Sequence, residues 1–521
     1  MTHPLSRFRH GAILVSLLLA ACFIVRTVQV DEVKRVANDS VQVRSAVKAH
    51  LIDGSTVVYP EGVLLAQGTL RGQGLRYDLT LANPVAVQTL PLDSVVGMEN
   101  FRTVTNTGAT LVYSALATVG VIGLSVAIYC AADPKCFGSC PTYYSDSAGT
   151  AVLEAEGFSY SIAPLFESRD VDRLRARAGP DGVLRLEVRN EAFETHYLNH
   201  LELIEARHAG DEFVAPDPRG HAVASRGLVS ATVARDRAAR DVAGLLRAQD
   251  GVTFRTDSTV LANAGLSDYQ DFIDLTFPAP GAGDSLALLL RLRNSLLNTV
   301  LLYDIMLGDP GARSLDWQAE ELERVGPALE LGTWYAGRMG LAVLVPTDTG
   351  FREVARVKDT GPVAWKDVAI PLPPATGDSV QLRLAFVADN WRIDKVALGL
   401  LRRPAVRTIP VARVLGRDDL PEPDADASLA RPDGRYLQTM PGQRFSALWE
   451  AGPEPADSAR TFLLASQGYY IEWVRRGWIT AARDTVPFVP GDASLVRALG
   501  RWRTVQDSLE TRFFATRVPV R

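Results

Sequence analysis

The sequence is poor in the residues and patterns that usually announce a chemistry. Its 521 residues include four cysteines, seven histidines and six lysines, and no P-loop, zinc ribbon, haem motif or kinase signature is present. Net charge is −5, from 55 basic and 60 acidic residues. No chain-wide positive field exists to hold a phosphate backbone, and nucleic acid is excluded as the expected partner. Cys130, Cys136 and Cys140 are spaced C-x5-C-x3-C with no histidine beside them, which is not a zinc spacing, so no metal is expected and no cofactor is called for. What is present is globular: 47% hydrophobic and 22% charged residues, at a length that suits three to four domains.

The N-terminus reads as an export signal. Arg7, Arg9 and His10 precede the apolar run Gly11 to Ala21, a basic region followed by an apolar core of signal-peptide length. The run ends Leu19-Ala20-Ala21-Cys22. This resembles a bacterial lipobox, which implies acylation of Cys22 and a signal over residues 1–22; a plain signal anchor ending at Val25 is the competing reading. A second apolar run, Thr110 to Ala132, carries no charge and is long enough for a tilted membrane helix. It can span the bilayer, lie in it, or pack against protein through Gly120 and Gly123. Cys136 and Cys140 can close a small loop in an oxidising compartment or stand as thiols in a tight turn.

The remainder alternates as strands. We expect a mainly β, multidomain chain with α insertions: a small β-roll over 23–105, the apolar membrane-associated helix 110–132, a central β-rich domain over 141–294, a helical insert over 295–330, a β-sandwich over 331–402, an acidic Pro-rich linker over 417–433, and a C-terminal β-module with a helix over 434–521. Asp53-Gly54 between two alternating runs is a hairpin signal. Gly72-Gln73-Gly74 lacks the third glycine of a dinucleotide site and is read as a turn. Within Ser379 to Leu398, Trp391 and Ile393 fall on one face, and Val396 joins them only through a bulge or a shift in phase.

Cys140-Pro141-Thr142-Tyr143-Tyr144 followed by Glu154-Ala155-Glu156-Gly157 resembles uncharacterised bacterial secreted envelope proteins bearing a C-P-x-x-Y element. That resemblance implies location and architecture and no activity. Asp433-Gly434-Arg435-Tyr436 through Pro441-Gly442 to Arg460-Thr461-Phe462-Leu463-Leu464 is similar to the β-module that follows propellers in ASPIC and UnbV type extracellular proteins.

Candidate chemistry is sparse. His196 and His200, with Glu194, Glu202 and His208, form the richest ligand cluster, but on a strand residues four apart lie ~13 Å apart, too far for one ion. Ser466 lacks the first glycine and the following helix of a nucleophile elbow. Asp268, Asp271 and Asp274 do not have EF-hand spacing. No catalytic residue is assigned. Tyr469, Tyr470, Trp473 and Trp478, with Arg475 and Arg476, are either the core of a small domain or a binding surface. The sequence therefore points to a non-catalytic, membrane-anchored bacterial envelope protein, largely extracytoplasmic, whose β-domains bind a protein or a glycan. The alternative is an enzyme or accessory subunit of an envelope secretion or transport complex.

Overall fold

A computed structural model describes residues 40–78, 84–101, 140–279, 283–375, 377–483, 488–515 and 517–520. The apolar run 110–132, Cys22 and Cys136 lie outside the described residues. Among those that are described, no helix is long and apolar enough to cross a membrane. The chain is mainly β, folded into several antiparallel sheets.

The N-terminal sheet begins with the expected hairpin. Val47–Leu51 pairs with Thr56–Tyr59, and the turn between them is closed by Asp53, whose Oδ1 accepts from Ser55 N at 3.0 Å and Ser55 Oγ at 2.6 Å. Gly54 takes φ 84°, a conformation that only glycine adopts without strain. Gly72-Gln73-Gly74 is not the turn that was expected. It lies inside the strand Thr69–Tyr77, at a bulge between Arg71 and Gly74, and a Cβ at Gly74 would come within 2.6 Å of the Tyr59 ring. The glycine is there because a buried tyrosine packs on bare backbone. At its far edge this sheet takes in Val474–Arg475, paired with Val95–Asn100, so a C-terminal segment completes an N-terminal sheet.

Two sandwiches follow. The first is split in sequence: one of its sheets contains Thr142–Ser147, Thr150–Glu156, Val183–Arg189, Arg413–Leu415 and Arg444–Glu450. The facing sheet contains Ser168–Arg173, Glu194–His208, Ala405–Pro410, Leu437–Thr439 and Ala459–Glu472. Leu184, Leu186 and Val188 of the first meet Leu198, Leu203, Phe462 and Leu464 of the second around Trp449. Strands of the expected C-terminal module therefore pair with strands more than 200 residues earlier, across the expected boundary at 433/434. Nor is 417–433 an unburied linker. It contains the helix Pro423–Leu429, with Asp424 and Asp426 in its first turn and Ala425 and Leu429 buried in the sandwich core, and acidic residues there suit the helix dipole.

The second sandwich is contiguous and is inserted between two strands of the first. Its sheets run from Glu212–Pro216 to Trp391–Arg402, five strands each, and enclose one apolar core containing Phe254, Leu288, Leu290, Phe386, Trp391, Ile393 and Val396. Val396 reaches this core through a bulge. Ladder register shifts between Arg291 and Leu292 and skips Asp394, whose carboxylate takes Arg291 Nε at 3.2 Å and Gly251 N at 3.0 Å. Asp394 is thus a structural residue. The sandwich does not begin at 331, because Val325–Met339 is a helix; Leu331, Tyr335 and Met339 are buried at helical spacing.

That helix belongs to a layer with the π-helix Val300–Gly308, Arg313–Glu320 and the C-terminal Asp492–Ala515. The layer covers the N-terminal sheet: Leu301, Ile305, Leu315, Trp317, Leu499 and Trp502 share one core with Val47, Val57, Tyr59 and Met98. Lys366 joins the two sandwiches. Its Nζ is 3.1 Å from Asp172 and also contacts Asp170; burial works against its charge, but the two carboxylates outweigh burial and raise its pKa.

Candidate functional site

Of the aromatic residues expected as either core or surface, Tyr470, Trp473 and Trp478 are core, and Tyr469 lies on the outer face with little exposure. Tyr470, Trp473 and Trp478 are 1%, 3% and 5% exposed, and Tyr469 reaches only 9%. As a group the four do not make an exposed patch, because Trp473 stacks on His50 at 3.8 Å and Trp478 packs on Tyr303. Cys140 is a buried free thiol, its pKa raised by burial and by the nearby Glu194 and Glu156 carboxylates. Ser466 is buried in mid-strand, and the strand runs on to Glu472, so no helix opens at the serine. The three aspartates do not converge: Asp268 pairs with Arg237, Asp271 accepts from Thr256, and Asp274 pairs with Arg383. Among the described residues no group of histidines, cysteines and carboxylates is arranged to hold a metal.

The histidine cluster is divided by a β-bulge. Glu194, His196 and His200 all lie on the strand Glu194–His208, but register against Ala459–Glu472 shifts between Leu198 and His200. Before the bulge even-numbered residues face inward; after it Leu201 and Leu203 do. His196 is therefore fully buried, while His200 is half-buried beside Glu202 on the outer face. Opposite the bulge stands Gly468, where a Cβ would lie 2.3 Å from Tyr197 O and 2.9 Å from Phe158 Cζ, so no other residue fits.

The same bulge organises an outward-facing group that sequence reading missed. Tyr197 and Tyr469 are cross-strand partners, their rings stacked at 4.6 Å with Tyr436 edge-on to Tyr469 at 5.3 Å. Beside them the Glu167 carboxylate accepts from Tyr436 Oη at 2.6 Å, Gln467 Nε2 at 2.9 Å and Asn199 Nδ2 at 2.5 Å. Burial and this carboxylate both raise the Tyr436 pKa, so the phenol stays protonated and donating. Tyr197, Tyr436 and Gln467 are half-buried, Arg435 next to Tyr436 is exposed, and Arg169, the ladder partner of Gln467, is exposed and pairs with Glu202 at 2.8 Å. Only the pairing of residues 197 and 469, 272 positions apart, could have revealed this group.

On the inner face of the same strand pair lies a buried acid cluster. Glu194 and Glu472 are opposite one another in the ladder; Arg475 bonds Glu472, and His196 Nε2 is 2.6 Å from Glu194 Oε1. Desolvation raises the pKa of Glu194 to about 8 and that of Glu472 well above its usual value. It lowers that of His196 to about 3, so the His196 contact is a neutral hydrogen bond. Nearby, Glu99 is pushed the other way. Burial would raise it, but Lys48, His50 and Thr195 together hold it at about 2. These groups are sealed in, and their geometry is that of a core network.

A cavity of about 190 Å³ opens between this sandwich and the helical layer. Its wall is Tyr160, Ile162, Phe166, Leu302, Leu331 and Tyr335, with Lys358 and Asp359 at one side. Asp359 accepts from Ser159 Oγ at 2.9 Å and Gly361 N at 2.8 Å, and also from Asn298 and Tyr335.

No protein-family model matches the chain, and no curated protein is similar to it. Among solved structures, a GH31 alpha-xylosidase from Xanthomonas citri aligns over 83% of this chain and 38% of its own at 9% identity and a TM-score of 0.16. A likeness of that size carries no argument about fold or chemistry.

Proposed function

We propose that the protein is a non-catalytic envelope protein, anchored through acylated Cys22 and through the apolar run 110–132, that docks a partner on the outer face of its split sandwich. The observation that supports this reading is the ring group Tyr197, Tyr436 and Tyr469 held by Glu167. Tyrosines and arginines dominate binding energy at protein interfaces, and side chains already fixed by hydrogen bonds and stacking lose little entropy on binding. Asn199 and Gln467 already donate to Glu167, which leaves fewer free amides for sugar hydroxyls and favours a protein partner over a glycan. Exposed Arg435, next to Tyr436, suits a partner surface bearing carboxylates.

The reading also fits Asp359, the carboxylate of the cavity wall. Four donors engage it, about the full acceptor capacity of a carboxylate, which holds it as part of the wall.

The test is site-specific photo-cross-linking in intact cells from position 435 or 438, beside the rings. A discrete adduct that disappears in Tyr197→Ala and Tyr436→Ala supports the proposal, and adducts unchanged by those substitutions refute it. Binding to a glycan array in place of a protein adduct would redirect the assignment to saccharides.

A further inference from the structure

The cavity between the split sandwich and the helical layer has a composition that selects its occupant. Its walls are side chains of Tyr160, Ile162, Phe166, Leu302, Leu331 and Tyr335, and an apolar pocket of this type favours apolar groups. An engineered apolar cavity of about 150 Å³ holds one benzene, so 190 Å³ accommodates a six-carbon ring or a chain of roughly that size. The shape is built in by backbone. Gly332 faces the cavity, and a Cβ there would come within 2.9 Å of Phe166 Cε1, so the helix Val325–Met339 approaches the Phe166 ring through bare backbone. Leu302 is supplied by the π-helix, a conformation that often occurs at functional sites.

Polarity at the cavity is one-sided. Asp359 faces four donors, so a ligand ammonium or hydroxyl finds no acceptor there. Lys358 is exposed, with its Nζ 5.4 Å from the Tyr160 ring centroid, and it makes no ion pair among the described residues. A lysine at the side of an apolar pocket, without a carboxylate partner of its own, is complementary to an anionic head attached to an apolar body.

We propose that this cavity binds a small monocarboxylate with an apolar body of about six carbons, its apolar end against Phe166, Leu302 and Leu331 and its carboxylate paired with Lys358. The site is independent of the tyrosine surface.

Calorimetric titration of the full-length chain with saturated monocarboxylates from butanoate to dodecanoate, and with 3-phenylpropanoate, tests the assignment against the matching methyl esters. Affinity is expected to rise about fourfold per methylene and to level off near six to seven carbons, when the cavity is full. Carboxylates are expected to bind roughly three- to tenfold tighter than their esters, a preference abolished in Lys358→Ala and kept in Lys358→Arg. Ala336→Phe, on the lining face of the helix, should remove binding of acids and esters alike. Because Lys358 is a surface residue, its two variants remain informative if Ala336→Phe fails to fold. Equal binding of acid and ester to the wild type would overturn the proposal. So would affinity that climbs through dodecanoate equally in a folded Ala336→Phe protein, since that is nonspecific partitioning. Absence of binding to the full chain overturns it as well.

Discussion

The two sandwiches solve the same packing problem with different means. The contiguous one, built from residues 212–402, has an apolar core around Trp391, Phe386 and Phe254, and it too holds buried charge, Arg291 between Asp367 and Asp394 on strands local in sequence. The split one has an equally apolar centre around Trp449 but closes at one end with Glu194, His196, Glu472 and Arg475. Strands that are near in sequence need only complementary apolar faces to find one another. Those joined across an intervening domain must be selected from many similar strands, and we read the buried acid cluster as the feature that fixes which two pair and in which register. Buried polar pairs contribute specificity more readily than stability.

The largest expected effects test the independence of the two cores. Trp391→Ala and Trp449→Ala should each cost about 3–5 kcal/mol by urea denaturation. In Trp449→Ala, hydrogen exchange should still protect Leu286–Asn294, because that strand belongs to a core whose strands are all local. Simultaneous loss of protection in both sandwiches would show a single cooperative unit and break the comparison.

Next in size is Arg475→Met. It leaves Glu472 without its cation beside Glu194, and breaking a buried pair from one side costs about 3–5 kcal/mol, the lower end applying here because the acids can take up a proton. The double variant Arg475→Met, Glu472→Leu should recover most of that loss. If it recovers stability but produces mixed strand registers in solid-state or solution NMR, the specificity reading is strengthened; a single native register refutes it.

The pH dependence should also differ between the two regions. Burial raises the Glu194 pKa to about 8 and also raises that of Asp172, so the folded protein keeps protons that the unfolded chain has released above its ordinary carboxylate pKa. Stability from such groups falls as pH rises, by about 1.4 kcal/mol per pH unit for each proton held. His196, lowered to about 3, acts oppositely between pH 3 and 6.5, where the unfolded chain is the better proton binder. Above 6.5 the raised acids act alone, and thermal stability should decline from pH 6.5 to 8. Glu194→Gln should flatten that slope, which differential scanning calorimetry can measure.

The smallest effect concerns the surface. Tyr436→Phe removes the 2.6 Å hydrogen bond to Glu167 at a cost of about 1 kcal/mol, while cross-linking to a partner from position 435 should fall more than stability does. Equal loss of both would make the ring group structural.

Much of the strand content was legible because each element carries its own period. Ser379–Leu384 alternates polar with apolar residues, and Asp53-Gly54 encodes its hairpin in two residues. Residues 331–340 misled because Leu331, Tyr335 and Met339 keep a helical spacing that a strand-rich neighbourhood obscures. Residues 417–433 misled because their acids, read as unburied, start a helix that buries Ala425 and Leu429. The candidate surface was partly legible: Tyr469 stood out, while Tyr197, Tyr436 and Glu167 did not, since each is unremarkable in its own segment.

The sequence by itself determined the local periods, the turns and the absence of familiar catalytic motifs, all of which depend on residues within about ten positions of one another. Only the tertiary structure decided that Val474–Arg475 completes a sheet begun at Ser40–Val43, that a whole sandwich is inserted between two strands of another, and that Glu194 meets Glu472. Those outcomes depend on which apolar faces and which buried charges satisfy each other across hundreds of residues. Burial then gives the acids and tyrosines properties that their sequence neighbours do not specify.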